Sequence, residues 1–242
     1  MGTLSGTAPL YRFTALDAIA VIAYLGFTAY FTLAGETVER LMLQLFANPA
    51  TASYAVNAVF YVGVGIFALA SAWRVAGRDL KILGTRPWFT LGMVPLAIVV
   101  MLILTAILVA AFGTAQSSEN QLGIQGLLQQ VPAWLMVPLL VVLGPFVEEY
   151  LFRHLLIGKL SRYVNIWICC VISVVVFASI HVIGREGLVL SALAPYLGMA
   201  VVLVAVYVWT GKNLMFSYFV HAAKNLMAVV LIYAIPPQLL PS

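Results

Sequence analysis

The stretch LLVVLGPFVEEYLFRHLLIGKL, Leu139–Leu160, decides how this chain is read. It is apolar enough at both ends to enter a bilayer, yet its middle carries Glu148, Glu149, Arg153 and His154. A charge at mid-membrane costs about 3 kcal/mol on insertion scales, and more by other measures. Ionisable residues in such a position are expected to serve a function.

The rest of the chain supports the membrane setting. Of its 242 residues, 64% are hydrophobic and 8% charged, whereas a soluble domain carries roughly 25% charge. A water-soluble surface cannot be assembled from so few polar groups. A helical span needs about 20 apolar residues, and seven such runs follow one another. They cover about 13–34, 54–73, 88–112, 134–156, 164–183, 188–209 and 214–235. Runs of this length exceed barrel strands, and backbone groups in lipid must be satisfied within the segment. The expected fold is therefore all-α, a polytopic transmembrane bundle of about seven spans. It reads as a single membrane-embedded domain over 1–242, without internal repeats. Trp73, Trp88, Trp134 and Trp209 fall at span ends, as an aromatic belt requires.

Charge distribution sets an expected topology. Arg12, Arg74, Arg78, Lys81, Arg86, Lys159, Arg162 and Lys212 fall on one side, against Arg40 and Arg185 on the other. The positive-inside rule then puts the N-terminus in the cytoplasm and the C-terminus outside. The N-terminal segment lacks the charged start and cleavage site of a signal peptide, so the first apolar run is expected to stay as an anchor. The polar segment before Ala133, ending LGIQGLLQQV, suits a short interfacial helix on the outer side. The net charge of +4 is small and scattered and gives no reason to expect a nucleic-acid partner. Cys169 and Cys170 are adjacent within an apolar run and read as small core residues.

Most charged residues sit between the spans. The exceptions gather on spans four, five and seven. Span five holds His181, in VVVFASIHV, and span seven holds His221, Lys224 and Asn225, in YFVHAAKNLM. All three histidines of the chain belong to this set. Glu149 and Arg153 are four apart and can pair along one helix face, with the acid on the favourable N-terminal side. That leaves Glu148, about 100° round the helix, for another task. Phe177 and His181 repeat the four-residue step, and so do His221 and Asn225. Gly144-Pro145 is expected to loosen or kink span four just before the glutamates.

Each element has a plainer explanation. A Glu–Arg pair near a helix end can be a snorkelling ion pair. A membrane histidine can be a helix-to-helix hydrogen bond. His154 reads as interfacial, Lys224 as snorkelling or paired with a carboxylate, and Asp17 as an interfacial or capping acid. Their joint restriction to three spans is what these separate explanations leave out. A straight count also puts the groups at unequal depths. His181 lies about 17 residues into its span, His221 about 8 into its own, and Glu148 about 8 from the end of span four.

Taken in order, Glu148-Glu149-Tyr150-Leu151-Phe152-Arg153, Phe177 to His181 and His221 to Asn225 resemble the EExxxR, FxxxH and HxxxN motifs of the CAAX protease and bacteriocin-processing (CPBP) family of intramembrane glutamic endopeptidases. The resemblance covers roughly residues 139–226, within a motif-bearing core of about 134–235. It implies hydrolysis of a peptide bond in a membrane-embedded or lipid-anchored peptide or protein. It also implies residence in a bacterial-type plasma membrane. By the resemblance, Glu148 is the base that activates water and His181 helps to hold that water. His221 and Asn225 stabilise the oxyanion, and Glu149 and Arg153 support the base. Two positions depart from the family pattern. His154 stands where glycine is common, and Lys224 where an uncharged residue is usual.

Glu148, His181 and His221 would also suit zinc. No HExxH is present, and the expectation is that no metal or other cofactor is used. Two other functions share these residues. One is a membrane scaffold or regulator of the same fold, and the other a proton-coupled transporter.

Overall fold

The computed structural model describes residues 8–113, 119–183 and 188–234. After a short 3₁₀ turn at Ala8–Tyr11 come helices α1 (Ala15–Leu45), α2 (Pro49–Gly84), α3 (Pro87–Phe112) and α4 (Glu119–Gln130). Then follow α5 (Ala133–Arg162), α6 (Ile166–Val182), α7 (Leu190–Trp209) and α8 (Leu214–Ala234). Among the described residues, α1, α2, α3, α5, α7 and α8 are long and apolar enough to cross a membrane. The seventh apolar helix, α6, has 17 residues. The protein is an all-α polytopic membrane bundle.

Capping chemistry sets several helix starts. Thr14 and Asp17 form a reciprocal capping box at α1. Asn48 and Asn165 accept the second N–H of α2 and α6. Pro49 and Pro87 stand at first positions, where no N–H is required. The polar segment before Ala133 forms α4, as expected, and it packs against α2, α6 and α8. α1 leans on α2 and bends at Ala34, whose backbone leaves the helical region. α3 lies against α7. There a Cβ on Gly198 would fall 2.4 Å from Thr105 Oγ1 and 2.9 Å from Thr105 Cα, so the crossing needs glycine.

α5 is the central helix, and its packing face meets α2, α6 and α8. It does not break at Gly144-Pro145. It runs on to Arg162 and widens to i→i+5 hydrogen bonding over Pro138–Leu143 and Tyr150–Lys159. The amides of Gly144 and Leu160 accordingly bond to Leu139 O and Leu155 O. The widened turns on either side are the loosening expected at Gly144-Pro145, and they accommodate the missing proline donor.

This extension corrects two sequence expectations. Lys159 is not a loop residue but is 2% exposed inside the bundle, and its Nζ lies 2.6 Å from Asp17 Oδ2. It therefore drops out of the charge count that set the topology. Asp17 caps α1 and also gathers Ser71, Tyr150 and Lys159 around its carboxylate, tying α1, α2 and α5 together. His154 is fully buried rather than interfacial, stacked on Tyr150 with the tilted ring of Tyr11 also against it. Arg74, Arg78 and Lys81 likewise stand on the long α2 rather than in a loop.

Breaking a buried ion pair on one side leaves an uncompensated charge. Lys159→Met is expected to cost about 3–5 kcal/mol of stability. Asp17→Asn in the same chain should recover most of it. Thermal unfolding midpoints of the single and double variants in one detergent check the pair.

Candidate active site

The depths of the motif residues agree once the helix ends are known. Glu148 lies fourteen residues before Arg162, and His181 fifteen after Ile166. Both are therefore about 22 Å from the turn that joins α5 to α6. His221 is only seven residues into α8, but α8 itself begins inside the protein. Leu214 is fully buried, and its N–H donates to Asp79 Oδ2 at 2.6 Å. Asp79, also fully buried, thus serves as an anionic cap for α8 and is paired with Arg78 at 2.5 Å. Asn213 completes the start of the helix by accepting from Phe216 N at 2.8 Å.

The three helices bring the motif residues to one place. Glu148 Oε2 is 3.7 Å from His221 Nε2 and 3.8 Å from His181 Nε2. Those separations are too long for direct hydrogen bonds and suit a bridging water. Each imidazole is anchored through its other nitrogen. His181 Nδ1 lies 2.7 Å from Phe177 O, and His221 Nδ1 lies 3.0 Å from Glu149 Oε1. A carbonyl and a carboxylate only accept, so both Nδ1 atoms carry the proton. In the neutral rings Nε2 then faces Glu148 with a lone pair. The phenylalanine of FxxxH thereby fixes its histidine through the backbone.

Glu149 and Arg153 are fully buried and pair at 3.4 Å. The contact lacks hydrogen-bond alignment, and the guanidinium instead rests 4.4 Å above the Phe177 ring. Asn225 donates Nδ2 to Leu140 O at 2.9 Å, which ties α8 to the first widened turn of α5. Lys224 lines this buried region and, among the described residues, meets no carboxylate within ion-pair distance. Its Nζ lies 3.5 Å from Asn225 Oδ1.

Glu148, His181, His221, Lys224 and Asn225 all line one cavity of about 640 Å³, walled on one side by α4. Tyr61 of α2 also lines it and donates its hydroxyl to Glu148 Oε1 at 3.1 Å. Tyr196 of α7 stacks on His181 with ring centres 4.6 Å apart. A second recess of about 510 Å³ adjoins across Tyr61 and His181, lined by Tyr24, Phe27, Phe31 and Phe60. Sequence reading missed Tyr61, Tyr196 and Asp79. A tyrosine in an apolar span carries no local signal, and Asp79 is one acid among the basic residues that end α2. Glu148, His181 and His221 are the side chains placed to share a divalent metal. Among the described residues, however, no three His, Cys, Asp or Glu side chains are grouped as a metal site.

Fold and site together define a class, that of helical membrane proteins with a carboxylate and imidazoles gathered in a buried cavity. Residues 130–227 match the family model described as type II CAAX prenyl endopeptidase Rce1-like. The resemblance read from the three motifs is thus shown by an independent comparison. The chain is similar to the membrane-embedded CAAX protease MroQ of Staphylococcus aureus (strain USA300), with 27% identity over 150 residues, 60% of this chain and 57% of that protein. It is also similar to the putative membrane peptidase YdiL of Bacillus subtilis (strain 168), with 29% identity over 120 residues, 50% of this chain and 46% of that one. The chain spans about half the length of these curated relatives. No solved structure gives a significant match.

Removing Arg153 strands a buried carboxylate. Arg153→Leu is expected to destabilise the protein by about 3–5 kcal/mol. Tyr61→Phe deletes one hydrogen bond to a charged group and should cost about 1.5–3 kcal/mol. Thermal unfolding of both variants in one detergent should reproduce that order.

Proposed function

We propose that this chain is an intramembrane endopeptidase, hydrolysing a peptide bond of a membrane-embedded or lipid-anchored peptide or protein, with Glu148 as general base. The observation that carries the reading is the meeting of Glu148 Oε2 with the Nε2 atoms of His181 and His221 at 3.7–3.8 Å, inside a cavity of a membrane bundle. A water at that point gives one proton to Glu148 and donates its other hydrogen to the lone pair of His181 Nε2. The freed hydroxide attacks the scissile carbonyl carbon. The resulting oxyanion accepts from the second N–H of Asn225 and from Nε2–H of doubly protonated His221. Glu148 then delivers its proton to the leaving amine as the C–N bond breaks. Glu149 and Arg153 hold His221 and the Phe177 ring in place.

These steps use no metal, and we assign none; Glu148, His181 and His221 are the ligands a zinc ion would take in the competing mechanism. The aromatic recess suits an apolar substrate segment. The names carried by the relatives, CAAX protease and membrane peptidase, point to the same activity class. The remaining positive-side residues support a cytoplasmic N-terminus, and the bacterial origin of both relatives supports a bacterial-type plasma membrane.

The test compares membrane peptides that accumulate uncut in cells carrying Glu148→Gln with those of wild type, followed by cleavage of the candidate by purified protein. Glu148→Gln is expected to lose at least about 10²-fold in rate, and Asn225→Ala about 10²–10³-fold. Unchanged cleavage by Glu148→Gln would falsify the assigned base, and a cellular role that survives that change would indicate a scaffold. Strong chelation should leave the rate unaltered; loss of cleavage that zinc restores would replace the metal-free mechanism.

A further inference from the structure

Among the described residues, the ammonium of Lys224 is the one charge lining the cavity without a role in the proposed chemistry. Resting on the reading of this cavity as the substrate site, we infer that Lys224 is a specificity residue that binds a carboxylate of the substrate close to the scissile bond.

A lysine head group in a membrane interior needs an anion, because the desolvation of an unpaired ammonium costs several kcal/mol. Among the described residues the cavity offers Glu148 as its carboxylate, and Lys224 forms no ion pair with it. Oε1 accepts from Tyr61 at 3.1 Å, and Oε2 faces the two imidazoles. Glu149 is walled off, fully buried between Arg153 and His221. Lys224 Nζ instead touches Asn225 Oδ1 at 3.5 Å, a weak acceptor contact that leaves donors directed at open space. An occupant of that space that brings an anion would complete the pairing.

The charge balance points the same way. Among the described residues, with His181 neutral and His221 doubly protonated as in the proposed reaction, Glu148 and Glu149 contribute −2 and His221, Arg153 and Lys224 contribute +3. Without Lys224 those charges would cancel and offer an anionic substrate no net attraction. With it, a carboxylate finds an ammonium one residue before Asn225, on the helix that also presents His221. Among the described residues the opposite wall is amide-rich, with Asn57 of α2 and Gln121 and Gln130 of α4, which suits a peptide backbone. The carboxylate has two possible sources, a free C-terminus or an Asp or Glu side chain.

The test is a binding measurement in the inactive Glu148→Gln background, so its outcome is independent of whether Glu148 is the base. The probes are fluorescein-labelled apolar decapeptides of Leu, Val, Ile and Ala, added to the full chain in lipid nanodiscs. Each is made as the free acid, as the C-terminal amide, and as the amide with one Asp near that end. At least one carboxylate-bearing form is expected to bind about tenfold tighter than the plain amide, and which one identifies the source. The preference should vanish in Glu148→Gln/Lys224→Met and return in Glu148→Gln/Lys224→Arg. The preference is a ratio within each variant, so partial misfolding does not imitate its loss. Equal binding of all three forms, no binding of any, or a preference that persists in Lys224→Met would overturn the inference.

Discussion

A charge placed in hydrocarbon has to find its partner inside the protein, and that requirement organises this bundle. Asp17 with Lys159 and Glu149 with Arg153 are buried pairs, and buried Asp79 pairs with a partly exposed Arg78; each carboxylate also reaches a second helix, bracing elements that apolar contact alone would hold loosely. Between membrane helices apolar burial discriminates poorly, because lipid tails are as apolar as leucine. The pairs therefore set register. Asp17 fixes α1 and α2 against α5. Asp79 fixes where α8 begins, and so the height at which His221 meets Glu148.

The central helix converts that register into a site. Its two widened segments flank Gly144–Glu149, the short α-helical stretch that carries both glutamates. Widening also frees acceptors from the usual ladder, and Leu140 O and Phe152 O take side-chain donors, Asn225 from α8 and Ser173 from α6. The same irregularity that accommodates a proline thus ties α5 to both helices that bring histidines.

The spans and the four-residue steps were legible because they are periodic and local. Seven apolar runs appear as seven apolar helices, and Glu149 pairs with Arg153 as the spacing requires. The errors arose where a residue's partner lies far away in sequence. Lys159 looks like a loop cation until Asp17, 142 positions earlier, is seen beside it. The unequal depths came from ending span four at Leu156 and starting span seven at the surface. Neither the extension to Arg162 nor the buried cap of Asp79 leaves a mark in the local pattern. Tyr61 reaches Glu148 from 87 residues away.

Buried polar groups here differ in how fully they are met, and the difference separates support from chemistry. The carboxylates of Asp17 and Asp79 each accept from several donors, and their neighbourhoods are closed. Glu148 is different: one oxygen takes a single hydroxyl, and the other faces two imidazoles across gaps that direct bonds do not fill. His154 marks the limit of this argument. Both its nitrogens lack partners, yet it is sealed between Tyr11 and Tyr150, away from the residues that line the cavity. An unmet polar group is a candidate for chemistry when open space adjoins it, and among the described residues that condition picks out the proposed site: Glu148, the imidazoles that face it, and Lys224.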